Sequence, residues 1–105
     1  MPLPDLREVD LERLNRVFRR FSGVRRVLLF GSRATGSAKR VSDVDLAVEA
    51  PAMSDLEWGE FHAALDDAPI ILELDVIRLD RLPAGSLAEA IRREGIPVYT
   101  AAGER

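Results

Sequence analysis

The chain has no cysteine, which excludes disulfides and thiolate metal sites. It has no long hydrophobic run either. Stretches such as residues 27–30 and 70–72 are far too short to span a bilayer. The opening Met1-Pro2-Leu3-Pro4-Asp5 lacks a basic region followed by an apolar one, so no secretory signal is expected, and the cytoplasm is the expected location. Positive charge is not in excess: the net charge is -3, whereas a chain that grips nucleic-acid backbone by charge alone is usually basic. Direct nucleic-acid binding and membrane association are therefore not expected. What remains is 105 residues, 47% apolar and 31% charged, a balance that fits one folded domain over residues 1–105.

Six arginines, Arg13, Arg16, Arg19, Arg20, Arg25 and Arg26, gather in the first quarter and read as a solvated helix face. The apolar spacing of Leu6, Leu11, Leu14, Val17, Phe18 and Phe21 predicts a helix over residues 5–21, ended by Gly23 in a left-handed conformation. Residues 26–30 are a buried strand stopped by Gly31, and the glycine-rich stretch that follows opens a short helix. Residues 37–42 form a polar, basic loop, and residues 44–49 a second strand. Ser54 and Glu57 make a capping box ahead of a helix with Leu56, Phe61 and Leu65 on its apolar stripe. Residues 70–79 are a third strand. A second capping box, Ser86 with Glu89, opens a helix closed by Gly95, and residues 96–99 add an edge strand that tolerates Pro97. The fold class is α+β (mixed α/β), a small sheet flanked by helices. Pattern alone leaves the strand order open.

Chemistry concentrates in two strands and a turn. On the second strand Asp43 and Asp45 project from one face, about 7 Å apart along the chain, while Val44, Leu46 and Val48 take the other. Like charges that close raise each other's pKa unless a cation lies between them, and an oxygen-rich pair suits Mg²⁺. On the third strand Asp75 and Glu73 interrupt an apolar run, a place where acids are depleted unless something binds them. If that strand lies beside the second, Asp75 completes a three-carboxylate site; Glu73 reads more simply as a salt-bridge partner. Gly31 lets the backbone approach an anion, and the helix start at Ser32 points free N–H groups outward. Arg33 reads equally as a phosphate ligand and as an exposed helix arginine. His62, the one histidine, reads as a surface residue, and Trp58 and Phe61 as core.

Gly31-Ser32-Arg33-Ala34-Thr35-Gly36 followed by Ser42-Asp43-Val44-Asp45-Leu46 resembles the signature of the DNA polymerase beta-like nucleotidyltransferase superfamily. The shortness of the chain resembles the minimal nucleotidyltransferases, the antitoxin half of HEPN–MNT toxin–antitoxin pairs. Residues 72–77 and 91–99 also fit. The resemblance implies a nucleotidyltransferase fold with a mixed sheet, and Asp43, Asp45 and Asp75 as catalytic metal ligands. It implies that Gly31 and Ser32, with Arg33 and Ser42, hold the nucleotide. It further implies Mg²⁺ as cofactor, ATP as co-substrate, and a HEPN RNase toxin as partner, with AMP passed to one of the toxin's tyrosine hydroxyls. Two other readings stand beside it: an antitoxin that neutralises by stoichiometric binding, and an enzyme acting on a small-molecule hydroxyl.

Overall fold

Apolar residues at three- and four-residue steps bury one side of helix α1 (Glu8–Arg20), with Leu14, Val17 and Phe18 in the core. Glu8 and Asp10 lie in its first turn and Arg19 and Arg20 in its last, matching the helix dipole. Asp10 is buried and paired with Arg7, whose Nε donates to its Oδ2 at 2.9 Å. The helix stops at Arg20 because Phe21 turns extended; Gly23 does not take the left-handed conformation that its position suggested. The computed structural model describes residues 4–35 and 43–101.

The remaining elements are β1 (Arg26–Phe30), α2 (Ser32–Thr35), β2 (Val44–Glu49), α3 (Asp55–Asp66), β3 (Leu74–Arg78), a 3₁₀ turn (Leu79–Arg81), α4 (Ser86–Glu94) and β4 (Ile96–Thr100). The sheet is mixed, in the order β3-β2-β1-β4: β1 runs antiparallel to β2 and β4, and β2 runs parallel to β3. A parallel pair needs a crossover, and α3 supplies it. Among the described residues no helix is long and apolar enough to cross a membrane.

The two sheet faces are covered unequally, and this places the site. Val27, Leu29, Leu46 and Val48 pack on Leu14, Val17 and Phe18 of α1 and on Phe61 and Leu65 of α3. The opposite face carries a smaller cluster of Leu28, Ala47, Leu79 and Ile91, with Phe30 and Ile77 at its margin. The next side chains on that face, Asp45 of β2 and Asp75 of β3, lie past the apolar cover.

Two ties hold β3 against this scaffold. Arg78 is largely buried; its Nη2 donates to the carbonyls of Ala50 and Met53, and its Nε to Asp80 Oδ2 at 3.1 Å. Asp80 Oδ1 in turn accepts from the Ala50 N–H at 2.8 Å, so the end of β3 is fixed to the β2–α3 connection. At the other end the Val44 N–H donates to the Glu73 carbonyl at 2.9 Å.

The first capping box forms as its sequence demands. Ser54 Oγ accepts from the Glu57 N–H at 3.1 Å, and Glu57 Oε1 accepts from the Ser54 N–H at 3.0 Å. Ser54→Ala should cost about 1 kcal/mol, seen in thermal unfolding as a melting point lower by roughly 4–8 °C. The Ser54 backbone and hydroxyl hold the Glu57 carboxyl below its ordinary pKa. Its contribution to stability is therefore full above the ordinary glutamate value and fades as pH falls through the lowered one. The second capping box does not form. Gly85 takes the cap position with φ 157°, Ser86 is the first helical residue, and no side chain caps the end.

Candidate active site

β1 ends at Phe30, and Gly31 turns the chain into α2 with φ +74°, a left-handed conformation that L side chains resist. The space beside Gly31 belongs to Asp45. A Cβ built on Gly31 would lie 3.2 Å from Asp45 Cγ and press on its carboxylate oxygen. The glycine is thus needed twice, for its conformation and for the acid packed against it.

Asp45 stands opposite Asp75 in the parallel β2–β3 register, and opposite Phe30 across the antiparallel pair. The two carboxyls are close enough to share a hydrogen bond. Asp45 is half-buried, while Asp75 and Asp43 are exposed. The Asp45 pKa is raised first by burial, then by the charges of Asp75 and Asp43, and by the hydrogen bond to Asp75.

Those donors fit a divalent cation of the Mg²⁺ type. Among the described residues no three acidic or histidine side chains close into a finished cage. Mg²⁺ does not demand one: it keeps several waters and takes one or two carboxylates together with substrate phosphates. Asp45 and Asp75 provide such a pair, with Asp43 near enough to act through its charge.

The other residues singled out from the sequence fall in several places. Ser32 opens α2 directly after Gly31, and Ser42 lies outside the described residues. Arg33 is buried rather than exposed, and its Nη1 donates to the Asp5 carbonyl at 2.8 Å. The Asp5 N–H donates back to the Arg33 carbonyl at 3.1 Å, so this arginine fastens the segment before α1 onto α2. His62 sits on α3 beside Asp66, at 3.6 Å. Phe61 is fully buried and Trp58 packs against it with ring centroids 5.5 Å apart. Glu73 is exposed, and its backbone carbonyl serves the sheet. Sequence reading gave Phe30 no part in the site. Its place opposite Asp45 follows from strand pairing and not from any local pattern.

Residues 12–104 match the family model described as polymerase beta nucleotidyltransferase. The chain belongs to the polymerase beta nucleotidyltransferase family. No curated protein matches it by sequence. Among solved structures, a toxin–antitoxin complex with AMP-PNP superposes with a TM-score of 0.64 at 21% identity, over 89% of this chain and 75% of that one. A mutant of the toxin–antitoxin MntA-HpeT superposes with a TM-score of 0.61 at 18% identity, over 88% of this chain and 74% of that one. At such identities the likeness is one of fold, and the mixed sheet with its flanking helices is the nucleotidyltransferase fold.

Proposed function

We propose that the chain is a minimal nucleotidyltransferase antitoxin that transfers AMP from Mg-ATP to a hydroxyl, in the leading case a tyrosine, of a HEPN-type RNase toxin. The observation that carries this reading is the Asp45–Asp75 pair packed against Gly31, acids and a glycine turn in one place past the apolar cover of the sheet. Family membership supports nucleotidyl transfer as the chemistry. The solved relatives, toxin–antitoxin complexes of which one was crystallised with AMP-PNP, support the partner class and the nucleotide.

In this reading the triphosphate lies along the Gly31-Ser32 turn, where backbone N–H groups face it beside the Asp45 carboxylate that the glycine makes room for. Asp45 and Asp75, with Asp43 adding its charge nearby, would hold Mg²⁺, which supplies charge neutralisation for the phosphates when bound. The acceptor oxygen forms a bond to the α-phosphorus, and the bond from that phosphorus to the bridging oxygen breaks. Pyrophosphate departs with that electron pair. Asp75, the exposed member of the pair, takes the hydroxyl proton as the new bond forms. The cytoplasm, where ATP and RNA are found, is the proposed location.

The test uses α-labelled ATP and Mg²⁺ with the purified chain and a lysate of its source, beside an Asp43→Asn/Asp45→Asn control. Label is expected on one protein band with wild type alone. A double variant that still labels that band would remove the acids from the mechanism. A partner that is neutralised equally by both proteins, with no label, would leave a binding antitoxin. Label on a small molecule without any partner would make the chain a small-molecule enzyme.

A further inference from the structure

The two edges of the sheet are not alike. At the β4 edge, Asn15 of α1 donates its Nδ2 to the Val98 carbonyl at 3.2 Å, and Pro97 removes one donor. At the β3 edge no described strand pairs on the outer side. The Val44 N–H donates to the Glu73 carbonyl, which fixes the direction of every backbone group on β3. In a parallel ladder Glu73, Asp75 and Ile77 turn their N–H and C=O groups towards β2, so those of Leu74 and Val76 turn outwards. Donors and acceptors turned outwards at every second residue, with no strand among the described residues pairing there, are the complement of another extended main chain.

We infer that the free edge of β3 is the acceptor dock: an extended, hydroxyl-bearing segment of a partner polypeptide adds to it as a strand and delivers its hydroxyl beside Asp75. This rests on the transfer reading given above and specifies how its acceptor is held. Strands pair about 4.8 Å apart, and residues opposite one another project from the same face. A residue set opposite Asp75 therefore projects on the face that carries Asp45 and Asp75. Its neighbours in the added strand project on the other face. There Leu74 and Val76 pack on the core as half-buried apolar neighbours, beside a hollow of about 280 Å³ lined by Leu65, Asp66, Ile70, Leu72, Glu73 and Leu74.

The edge chemistry also selects against other occupants. Glu73 and Asp75 are both exposed there, and their charge repels a nucleic-acid backbone. A second copy of this chain would bring the same acids to its own edge. The matching acceptor has the pattern apolar–hydroxyl–apolar, with no acid at the central position.

The test takes the full chain with Mg²⁺, α-labelled ATP and short synthetic peptides carrying one tyrosine, serine or threonine among β-branched residues. Peptides flanked by apolar residues are expected to be labelled. Moving a single N-methyl group along a labelled peptide should abolish labelling at alternate amides only. Val76→Pro, which removes one outward N–H and no β2–β3 hydrogen bond, should lose peptide labelling at least tenfold, with the fold checked by circular dichroism. Uniform tolerance of N-methylation overturns the dock, as does labelling of a folded partner protein with no peptide labelled. A concentration-dependent dimer that Val76→Pro dissolves assigns the edge to a second copy and overturns it as well. Label moving to no acceptor from any source fails the transfer reading itself, a result distinct from these.

Discussion

Asp45→Asn is expected to cut nucleotidyl transfer by orders of magnitude and, at neutral pH without metal, to raise the melting temperature of the chain. The two effects have one origin. Asp45 is half-buried against Gly31, hydrogen-bonded to Asp75 and subject to the charges of Asp75 and Asp43, so its carboxyl keeps its proton to higher pH than an unfolded aspartate does. The favourable contribution of the protonated group is fully present below the unfolded pKa and is lost as pH rises through the raised folded value. At neutral pH the ionised form is a liability to the folded chain, and Asn removes it with little change in size. The stability gap between variant and wild type should therefore open as pH rises through that value and close on acidification. Mg²⁺ should reverse the order, since a ligand at 100 times its Kd stabilises by about 2.7 kcal/mol and the variant has lost a ligand. Transfer itself should fall by on the order of 10²–10³-fold, the usual cost of losing one charge-stabilising group. Thermal unfolding in EDTA and in Mg²⁺ across pH, beside a label-transfer assay, reads all of this. A variant that melts below wild type at neutral pH in EDTA would show that the carboxylate is satisfied by its surroundings and holds no site open for a cation.

The parts of the molecule legible in the sequence are those governed by neighbours along the chain. Alternation set Val44, Leu46 and Val48 against the helices and Asp45 against Ala47 on the other face, as the two clusters on either side of the sheet show. Ser54 and Glu57, three residues apart, cap α3 reciprocally because that geometry is local. Where a distant segment decides, the reading failed. Residues 70–79 look strand-like throughout, yet β3 begins at Leu74 because its partner β2 begins at Val44, opposite it. Before that point the chain turns, with the Ile70 N–H donating to the Ala68 carbonyl at 2.7 Å, and Ile71 faces outwards. Ser86 satisfies the capping pattern in letters, but Gly85 occupies the cap because only glycine accepts its backbone angles. Arg33 could not be placed from its own neighbours, since the segment around Asp5 returns from the far end of α1 to accept its guanidinium. The meeting of Asp45 with Asp75 is of the same non-local kind. Spacing supplied the acids, and only the parallel pairing of β2 with β3 set them opposite each other.

Gly31→Ala is the second substitution with a large expected effect, and it tests whether the turn and the acid pair are one object. Alanine at φ +74° carries the left-handed penalty of roughly 1–2 kcal/mol. Its Cβ would also lie 3.2 Å from Asp45 Cγ and press on the carboxylate, so Asp45 must move or the turn must open. The melting temperature should fall by about 4–8 °C per kcal/mol lost. Transfer should drop about as far as it does in Asp45→Asn, although every acid is still present. A double-mutant cycle with Asp45→Ala separates the two costs. Truncating Asp45 removes the carboxylate that the new methyl meets, leaving only the backbone penalty, so Gly31→Ala should cost less in that background, with a coupling of about 0.5–3 kcal/mol. In the transfer assay the two losses should not add, because both act through the position of one carboxylate. Equal cost in the two backgrounds would mean that the methyl and the acid avoid each other. The glycine would then serve the turn alone, and the Asp45 carboxylate would owe its place to Asp75 and the sheet.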